Sequence, residues 1–336
     1  MLRYLIQRLL FFPLALLITV TGTYFLLNTV PGDIARSIAG DQATPEQIAV
    51  VAHRYELDLP TPIRYLHYLE RLSRGDLGTS LQDDQPVGPK FLAKLPATLE
   101  LVIPALFLSI IVGIALGTVG AYFGGHVDRG TSWLITLLQS VPEFLLGIGL
   151  LFLFYVTLQI APSPVGRLGL LESAPPRATG FYVIDAAVAQ QWDVMFSALK
   201  HLALPVITLS VAYSVVFART ARAAMGAALQ SQYVQFARAC GLSEWQVVYY
   251  ALLEARTPLL TYGAIILSHI IGGAAIVETV FSWQGLGQYA LASTLVLDVN
   301  VIVAYTILVG VITLTTYFLL DVLLVALDPR VALAQR

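Results

Sequence analysis

The sequence predicts an all-α integral membrane protein with six transmembrane helices. Of its 336 residues, 57% are hydrophobic and only 12% are charged, about half the charged fraction of an ordinary soluble domain. The charges are clustered and leave long apolar runs, each sufficient to cross a bilayer as a helix. The net charge of -2 supplies no basic field for nucleic acid. The single cysteine, Cys240, excludes an internal disulfide.

The first apolar run covers residues 9–30. It follows Arg3 and Arg8, as in a signal peptide, but no small-residue cleavage site comes after it. As a helix it would be about 33 Å long, enough to cross the membrane. We therefore expect residues 1–30 to form a cytoplasmic N-terminus and an uncleaved first transmembrane helix.

Residues 31–98 are mixed in polarity and are predicted to form an extracytoplasmic region with short helices. Proline at position 45, followed by Glu and Gln, predicts a helix start, and the helix is expected over 45–55. A second helix is expected over 61–72. Residues 75–80 carry the Gly and Asp typical of turns.

Five further spans are predicted inside a membrane core of residues 99–327. Their approximate ranges are 101–123, 131–160, 202–218, 259–281 and 299–320. Six spans put both termini on one side of the membrane, and most arginines of the short loops fall on that side. The positive-inside rule therefore places both termini, the tail 328–336 and the loop 231–258 in the cytoplasm.

The loop 231–258 is the longest polar interruption in the second half of the chain. Gly241 permits a sharp turn between two short helices. Ser243 and Gln246 form a capping box that starts the second helix, and we expect Pro258 to end it.

The second helix of this loop has one apolar face. Trp245, Val248 and Tyr249 recur at positions i, i+3 and i+4. A helix lying on lipid would carry Lys and Arg along its polar face, whereas acidic residues outnumber basic ones here. The pattern favours a groove in a partner protein.

Residues 233–243, with the sequence YVQFARACGLS, resemble the cytoplasmic loop of ABC importer permeases in the peptide and nickel branch. That branch usually writes the loop as Tyr-x-x-x-Ala-Arg-Ala-Lys-Gly-Leu. Cys240 stands where Lys is common, and Gln284 stands where Pro is common. Further matches in chain order are PGD at 31–33, GDLG at 75–78, LPATLEL at 95–101, VETVFSWQGLG at 277–287 and LDPR at 327–330.

The resemblance implies a type I ABC importer permease fold and a transport subunit that is not an enzyme. It implies half of a translocation path in the bacterial cytoplasmic membrane, embedded in the lipid bilayer. The implied partners are a second homologous permease, two cytoplasmic ABC ATPases and an extracytoplasmic substrate-binding protein. ATP and Mg would be bound by the ATPases, with no cofactor or metal in this chain. The residues implied to couple to an ATPase are Ala237, Arg238, Gly241, Leu242, Ser243, Glu244 and Trp245.

The sequence constrains the class of substrate less than it constrains the fold and the partners. The size of the external region and the lack of a His, Met or Cys cluster for metal handling favour di- or oligopeptides. Nickel chelates and glutathione are alternatives within the same family. An ion-gradient-driven secondary transporter is the alternative of another class, since it also places charges inside spans.

Four residues are candidates for lining the translocation path. Acids inside apolar spans usually face a bundle interior or cavity, which selects Glu143 and Glu278. His269, in the middle of a span, and Gln139 join them. The structural alternatives are a hydrogen bond across to another helix for Glu143, contact with interfacial water or capping of the Gly285 turn for Glu278, and packing between helices for His269.

Two other patterns concern the helices themselves. Arg219 and Arg222 lie at the cytoplasmic end of the fourth span, where we expect lipid headgroups as their partners, with an ATPase as the alternative. Gly113 and Gly117 predict a close approach between helices.

Overall fold

The computed structural model describes residues 2–29, 34–40 and 42–327. Across these residues the regular elements are helices, with one isolated antiparallel bridge between Thr79 and Pro86. The all-α prediction is confirmed. The motifs at 31–33 and 328–330 and the tail 328–336 lie outside the described residues.

The helices follow one another through the whole described chain. In order they are α1 Leu2–Thr29, α2 Ile34–Ala39, α3 Pro45–Arg54, α4 Thr61–Ser73, α5 Val87–Phe123, α6 Gly125–Gln139, α7 Glu143–Leu151, α8 Tyr182–Val188, α9 Trp192–Leu229, α10 Gln232–Ala239, α11 Glu244–Val280, α12 Leu286–Leu295 and α13 Val299–Leu327. A π-helical turn over Phe152–Thr157 continues α7.

Five of these helices, α1, α5, α9, α11 and α13, are long and apolar enough to cross a membrane. The pair α6 and α7 also qualifies together, but it is bent by 92°. Counted as one span, the pair completes the six predicted. The single run expected over 131–160 is divided by Pro142, because proline lacks an amide hydrogen and disfavours helix at the residue before it.

Helix α11 joins the loop helix to the fifth span. The capping box of Ser243 and Gln246 is present as predicted. The expectation that Pro258 ends this helix was wrong, since the helix continues through it to Val280. Proline is tolerated inside membrane helices where neighbouring groups satisfy the freed backbone. Because α11 is continuous, a movement of its N-terminal end at Ser243 would also move the fifth transmembrane span.

The described residues form two compact units. The first comprises the described residues up to Pro96 together with Gly285–Thr315. In it, α1 packs on α4 through Tyr24 and Tyr68, whose ring centroids are 5.5 Å apart. A second cluster of the same unit buries Val87, Phe91, Leu286, Val301 and Ala304.

The polar turn of this first unit is fixed by Asp298. This fully buried carboxylate accepts hydrogen bonds from the Ser80 hydroxyl at 2.6 Å and from the Leu81 amide at 2.8 Å. Its other oxygen accepts from the amide of Val301, in the first turn of α13, at 3.3 Å. The turn predicted at 75–80 is therefore tied to the start of α13.

The second unit comprises Ala97–Gln284 and the described residues from Thr316 onward. Its largest core joins α9 and α11 through small side chains, among them Ala221, Ala228, Ala251 and Ala255. Small residues allow helix axes to approach closely.

Gly113 and Gly117 bring α5 against α9. A Cβ on Gly117 would lie 2.6 Å from the Ala218 carbonyl oxygen and from the Arg222 amide nitrogen. A Cβ on Gly113 would lie 2.7 Å from Phe217 Cβ. The predicted close approach of helices at these glycines is confirmed.

Candidate functional site

The loop 231–258 folds as helix α10 and the first turns of α11, joined by a tight turn at Gly241. Ser231 caps α10 by accepting a hydrogen bond from the Val234 amide at 3.4 Å. Gly241 follows α10 with φ of +78°, a conformation that costs side-chain-bearing residues energy. Ser243 then caps α11. We call residues Gln232–Tyr250 the coupling segment.

One face of the coupling segment is held in the core of the second unit. Val234 and Val247 are fully buried and Ala237 nearly so. Val234, Val247 and Leu242 pack with the small-residue core of α9 and α11. Ala237 and Leu242, two of the residues expected to couple, thus face this chain.

The opposite face is aromatic and exposed. Trp245 is 81% exposed and Phe236 is 69% exposed, and Tyr233 and Tyr249 are exposed as well. The Tyr233 ring lies edge-on to Tyr250, with centroids 5.6 Å apart. We call Tyr233, Phe236, Trp245 and Tyr249 the aromatic face. Trp245 and Tyr249 were predicted from the sequence, whereas Tyr233 and Phe236 were not, although they share the i, i+3 spacing on α10.

Two charges lie beside the aromatic face. Arg238 and Glu244 form an exposed ion pair at 3.6 Å across the Gly241 turn. Glu244 also accepts a hydrogen bond from the Tyr122 hydroxyl at 2.8 Å. Both side chains are exposed, so a partner protein can reach them. Exposed pairs of this kind contribute little stability. Cys240 is exposed next to them.

Arg219 and Arg222 contact α6 within this chain. Arg222 pairs with Asp128, with Nη2 to Oδ2 at 2.6 Å, and Arg219 donates to the side-chain oxygen of Gln139. Lipid headgroups were expected as the partners of both arginines. That expectation missed these contacts because the paired residues are 94 and 80 positions apart.

Glu278 lies in a buried polar cluster. It is 0% exposed, and its carboxylate accepts a hydrogen bond from the Thr98 hydroxyl at 2.5 Å. Nearby, the buried indole of Trp283 donates to the Ala97 carbonyl at 2.8 Å. The alternative that Glu278 reaches interfacial water was wrong.

Glu100 and Arg167 extend the buried cluster. Arg167 Nε lies 3.0 Å from Glu100 Oε2, and both side chains are at most 10% exposed. The other oxygen of Glu100 accepts from the Val183 amide at 2.8 Å. The Arg167 guanidinium stacks 3.5 Å above the Tyr182 ring and donates to the Gly180 carbonyl.

Asp185 fixes the same loop. It is buried and accepts from the Thr179 amide and hydroxyl, both at 2.7 Å, and from the Gly180 amide at 2.8 Å. Burial acts to raise the pKa of Asp185, but these hydrogen bonds outweigh it and hold the pKa below its ordinary value. The carboxylate is a structural anchor of the loop.

Glu143 opens α7 immediately after the bend. A Cβ on Gly273 of α11 would lie 3.0 Å from Glu143 Oε1 and would overlap the Tyr213 hydroxyl. Tyr213 donates to the His269 carbonyl at 3.2 Å. Nδ1 of His269 lies 2.9 Å from the Ile265 carbonyl oxygen, and His269 is exposed.

The structure thus separates the four path candidates. Glu143 and the Tyr213 hydroxyl both lie beside Gly273 of α11, and Tyr213 donates to the carbonyl of His269, one turn earlier in that helix. Gln139 is held by Arg219, and Glu278 belongs to the buried cluster. Among the described residues, no group of three or more His, Cys, Asp or Glu is placed to hold a metal ion.

Comparison with protein families gives two adjoining matches. A family described as binding-protein-dependent transport system inner membrane component matches residues 101–333. The N-terminal family of the same membrane component matches residues 1–102. Together they cover nearly the whole chain.

Individual relatives extend over the same length. A probable D,D-dipeptide transport system permease protein of Escherichia coli is 35% identical over 314 residues, which is 92% of this chain and 91% of the relative. A di/tripeptide transport system permease protein of Pseudomonas aeruginosa is 34% identical over 92% of both chains. A glutathione transport system permease protein of Salmonella choleraesuis is 31% identical over 98% of this chain and 99% of the relative.

Proposed function

The chain belongs to the family of binding-protein-dependent transport system inner membrane components, and we propose that it carries peptides as one permease of an ATP-driven importer. Family membership makes it a multi-pass membrane component of the peptide and glutathione branch of ABC importers, without an enzymatic role of its own. It also removes the ion-gradient alternative. Di- or oligopeptides are the proposed substrates, supported by relatives described as dipeptide and di/tripeptide permeases.

The coupling segment is the proposed contact with an ABC ATPase. The observation that carries this proposal is the division of its two faces. Val234 and Val247 anchor one face in the core, while Phe236 and Trp245 expose the other. Large aromatic side chains are the usual anchors of protein interfaces. A rigidly held, exposed aromatic face suits a preformed groove in a partner.

Force from the ATPase would travel along α11. The coupling segment ends inside this helix, which continues without interruption to Val280. Ala251 and Ala255 of α11 pack against α9, so both helices would follow the coupling segment. Such rigid-body movement can alternate the access of a central path.

The proposed assembly contains a second homologous permease, two ABC ATPases and an extracytoplasmic substrate-binding protein. ATP and Mg would be bound by the ATPases, and no cofactor is proposed for this chain. Both termini and the coupling segment are assigned to the cytoplasm, and the region 31–98 to the outside.

Glu143 and His269 are the proposed path residues. Glu143 receives no hydrogen bond from the described residues, and His269 is exposed. For Glu278 we propose a structural role, because it is fully buried beside Thr98. Gln139 is assigned to positioning Arg219.

Replacement of Gly241 tests the coupling. Gly241→Trp forces a large side chain into the φ of +78° and should abolish ATP-driven dipeptide uptake in proteoliposomes that hold the complete transporter. Membrane insertion should be unchanged. Gly130→Trp is the matched control, because Gly130 is exposed in equally open space and lacks this backbone strain.

Three results would contradict the proposal. They are full uptake by Gly241→Trp, uptake that survives ATP depletion, and an ATPase that fails to co-purify with the wild-type chain.

A further inference from the structure

The first unit contains a polar cavity that the proposed function does not use. Its volume is about 230 Å³, and its walls come from the C-terminal end of α1, the end of α3, α4, the turn at 76–81 and the start of α13. Three arginines, Arg54, Arg64 and Arg71, line it together with Glu56 and Asp76. We infer that this cavity binds the carboxylate of a small ligand, namely the C-terminus of a transported peptide.

The arginines differ in how their charges are balanced. Arg54 pairs with Asp84. Arg71 lies 3.7 Å from Glu56, which is shared with His67 at 3.0 Å. Of the three guanidinium groups that line the cavity, those of Arg54 and Arg71 therefore have acidic partners.

Arg64 is the cation that lacks an acid. Its Nη2 donates to the Asn28 side-chain oxygen at 2.9 Å and to the Thr61 hydroxyl at 3.2 Å, both neutral groups. Within the part of the chain that the structure describes, no carboxylate lies within 4.0 Å of it. A partly buried guanidinium without a counterion favours an anion brought from outside.

Unsatisfied donors point the same way. The Nε atoms of Arg64 and Arg71 are buried and have no hydrogen-bond partner among the described residues. A buried N–H donor is stabilised by a hydrogen-bond acceptor, so these nitrogens favour a ligand that supplies oxygen atoms. Carboxylate is the group that guanidinium binds with two parallel hydrogen bonds.

The size of the cavity limits the ligand. Since a water molecule takes about 30 Å³ in the liquid, the space is equivalent to roughly eight waters, enough for the end of a peptide. The remaining wall combines the polar side chains of Asn28, Asn300 and Tyr55 with the apolar side chains of Leu57, Leu81 and Val299. The assignment rests on the proposed function, because the orientation proposed above puts this unit on the side from which substrate arrives.

Thermal unfolding of the purified full chain in lipid nanodiscs tests the site. Titration with the dipeptide Ala-Ala should raise the unfolding midpoint progressively with its concentration, because a ligand that binds only the folded state stabilises it. The C-terminal amide of Ala-Ala should bind at least tenfold more weakly. Arg64→Gln should weaken Ala-Ala binding at least tenfold, and Arg64→Lys, which keeps the charge but loses the two parallel hydrogen bonds, should weaken it less.

Arg74→Gln is the matched control. Arg74 follows the same helix α4, pairs with Glu70 at 2.6 Å and does not line the cavity. Its response to Ala-Ala should equal that of the wild type. The unfolding midpoint of each variant without ligand separates loss of binding from loss of folding.

Several outcomes would overturn the inference. Equal stabilisation by Ala-Ala and its amide would exclude recognition of the carboxylate, and an unchanged response of Arg64→Gln would exclude this cavity. Stabilisation by acetate as strong as that by Ala-Ala would exclude a peptide as the specific ligand. ATP-driven dipeptide uptake in the complete transporter reports separately on the proposed function, which survives if only the titration fails.

Discussion

The buried polar cluster and the coupling segment use polar and aromatic residues in opposite ways. In the cluster, Glu278, Glu100 and Trp283 are buried, and each has a hydrogen-bond partner distant in sequence. In the coupling segment, Trp245 is exposed and the ion pair of Arg238 with Glu244 lies open to solvent. Buried groups with satisfied bonds fix a structure. Exposed aromatic groups on a fixed frame are available to a second protein.

The largest effect on stability is expected from breaking the buried ion pair. Arg167→Met would leave Glu100 charged and unpaired in a buried site, which costs about 3–5 kcal/mol. The free energy of unfolding, measured by titrating mixed micelles with SDS, should fall by that order. Arg129→Met is the matched control, because Arg129 is exposed on α6 and pairs with no described residue. Equal losses of unfolding free energy in both variants would show that the buried Arg167–Glu100 pair contributes no more to stability than an exposed arginine does.

A smaller effect is expected from Thr98→Val. This change keeps the shape of the side chain but removes the donor to the buried Glu278 carboxylate, at a cost of about 1–3 kcal/mol. The same titration measures it. Thr279→Val should be nearly neutral, because Thr279 is exposed and bonds only within its own helix, to the Ala275 carbonyl. A neutral Thr98→Val would remove Glu278 from the structural cluster and return it to the path candidates.

The smallest effect on stability is expected from Trp245→Ala. Because Trp245 is 81% exposed, the free energy of unfolding should change by less than about 0.5 kcal/mol. Affinity for the ATPase should nevertheless fall by about 30-fold, corresponding to about 2 kcal/mol at a central interface residue. Binding of the purified ATPase to the chain in nanodiscs measures this loss.

Trp192→Ala provides the control for that prediction. Trp192 is also an exposed tryptophan in the first turn of a long helix, α9, and the proposed orientation puts it outside the cell. Its replacement should leave ATPase affinity unchanged. If both variants bind equally well, the aromatic face is not the docking surface.

Local features of the fold were predictable from the sequence. The starts of α3 and α4 fall at the predicted residues, and the predicted capping box of α11 is formed. These features depend on side chains within one helical turn of each other. Prediction was less successful at prolines, since Pro142 divides a span and Pro258 does not end one. The outcome at a proline depends on whether neighbouring helices satisfy the freed carbonyl.

The candidate site was predictable only in part. The motif at 233–243 located the coupling segment, yet Ala237 and Leu242 of that motif face the core, while Tyr233 and Phe236 belong to the exposed face. A helical periodicity identifies which residues share a face but not whether that face meets protein or solvent.

By itself, the sequence determined the all-α membrane class, the long apolar helices and the capped turn at Gly241, because each depends on composition or on neighbours a few residues apart. The tertiary structure decided which polar groups are paired. Thr98 meets Glu278 across 180 positions, Arg167 meets Glu100 across 67, and Arg222 meets Asp128 across 94. Such pairs form only where packed helices bring the groups within hydrogen-bond distance, and in an apolar interior an unpaired charge is too costly to leave.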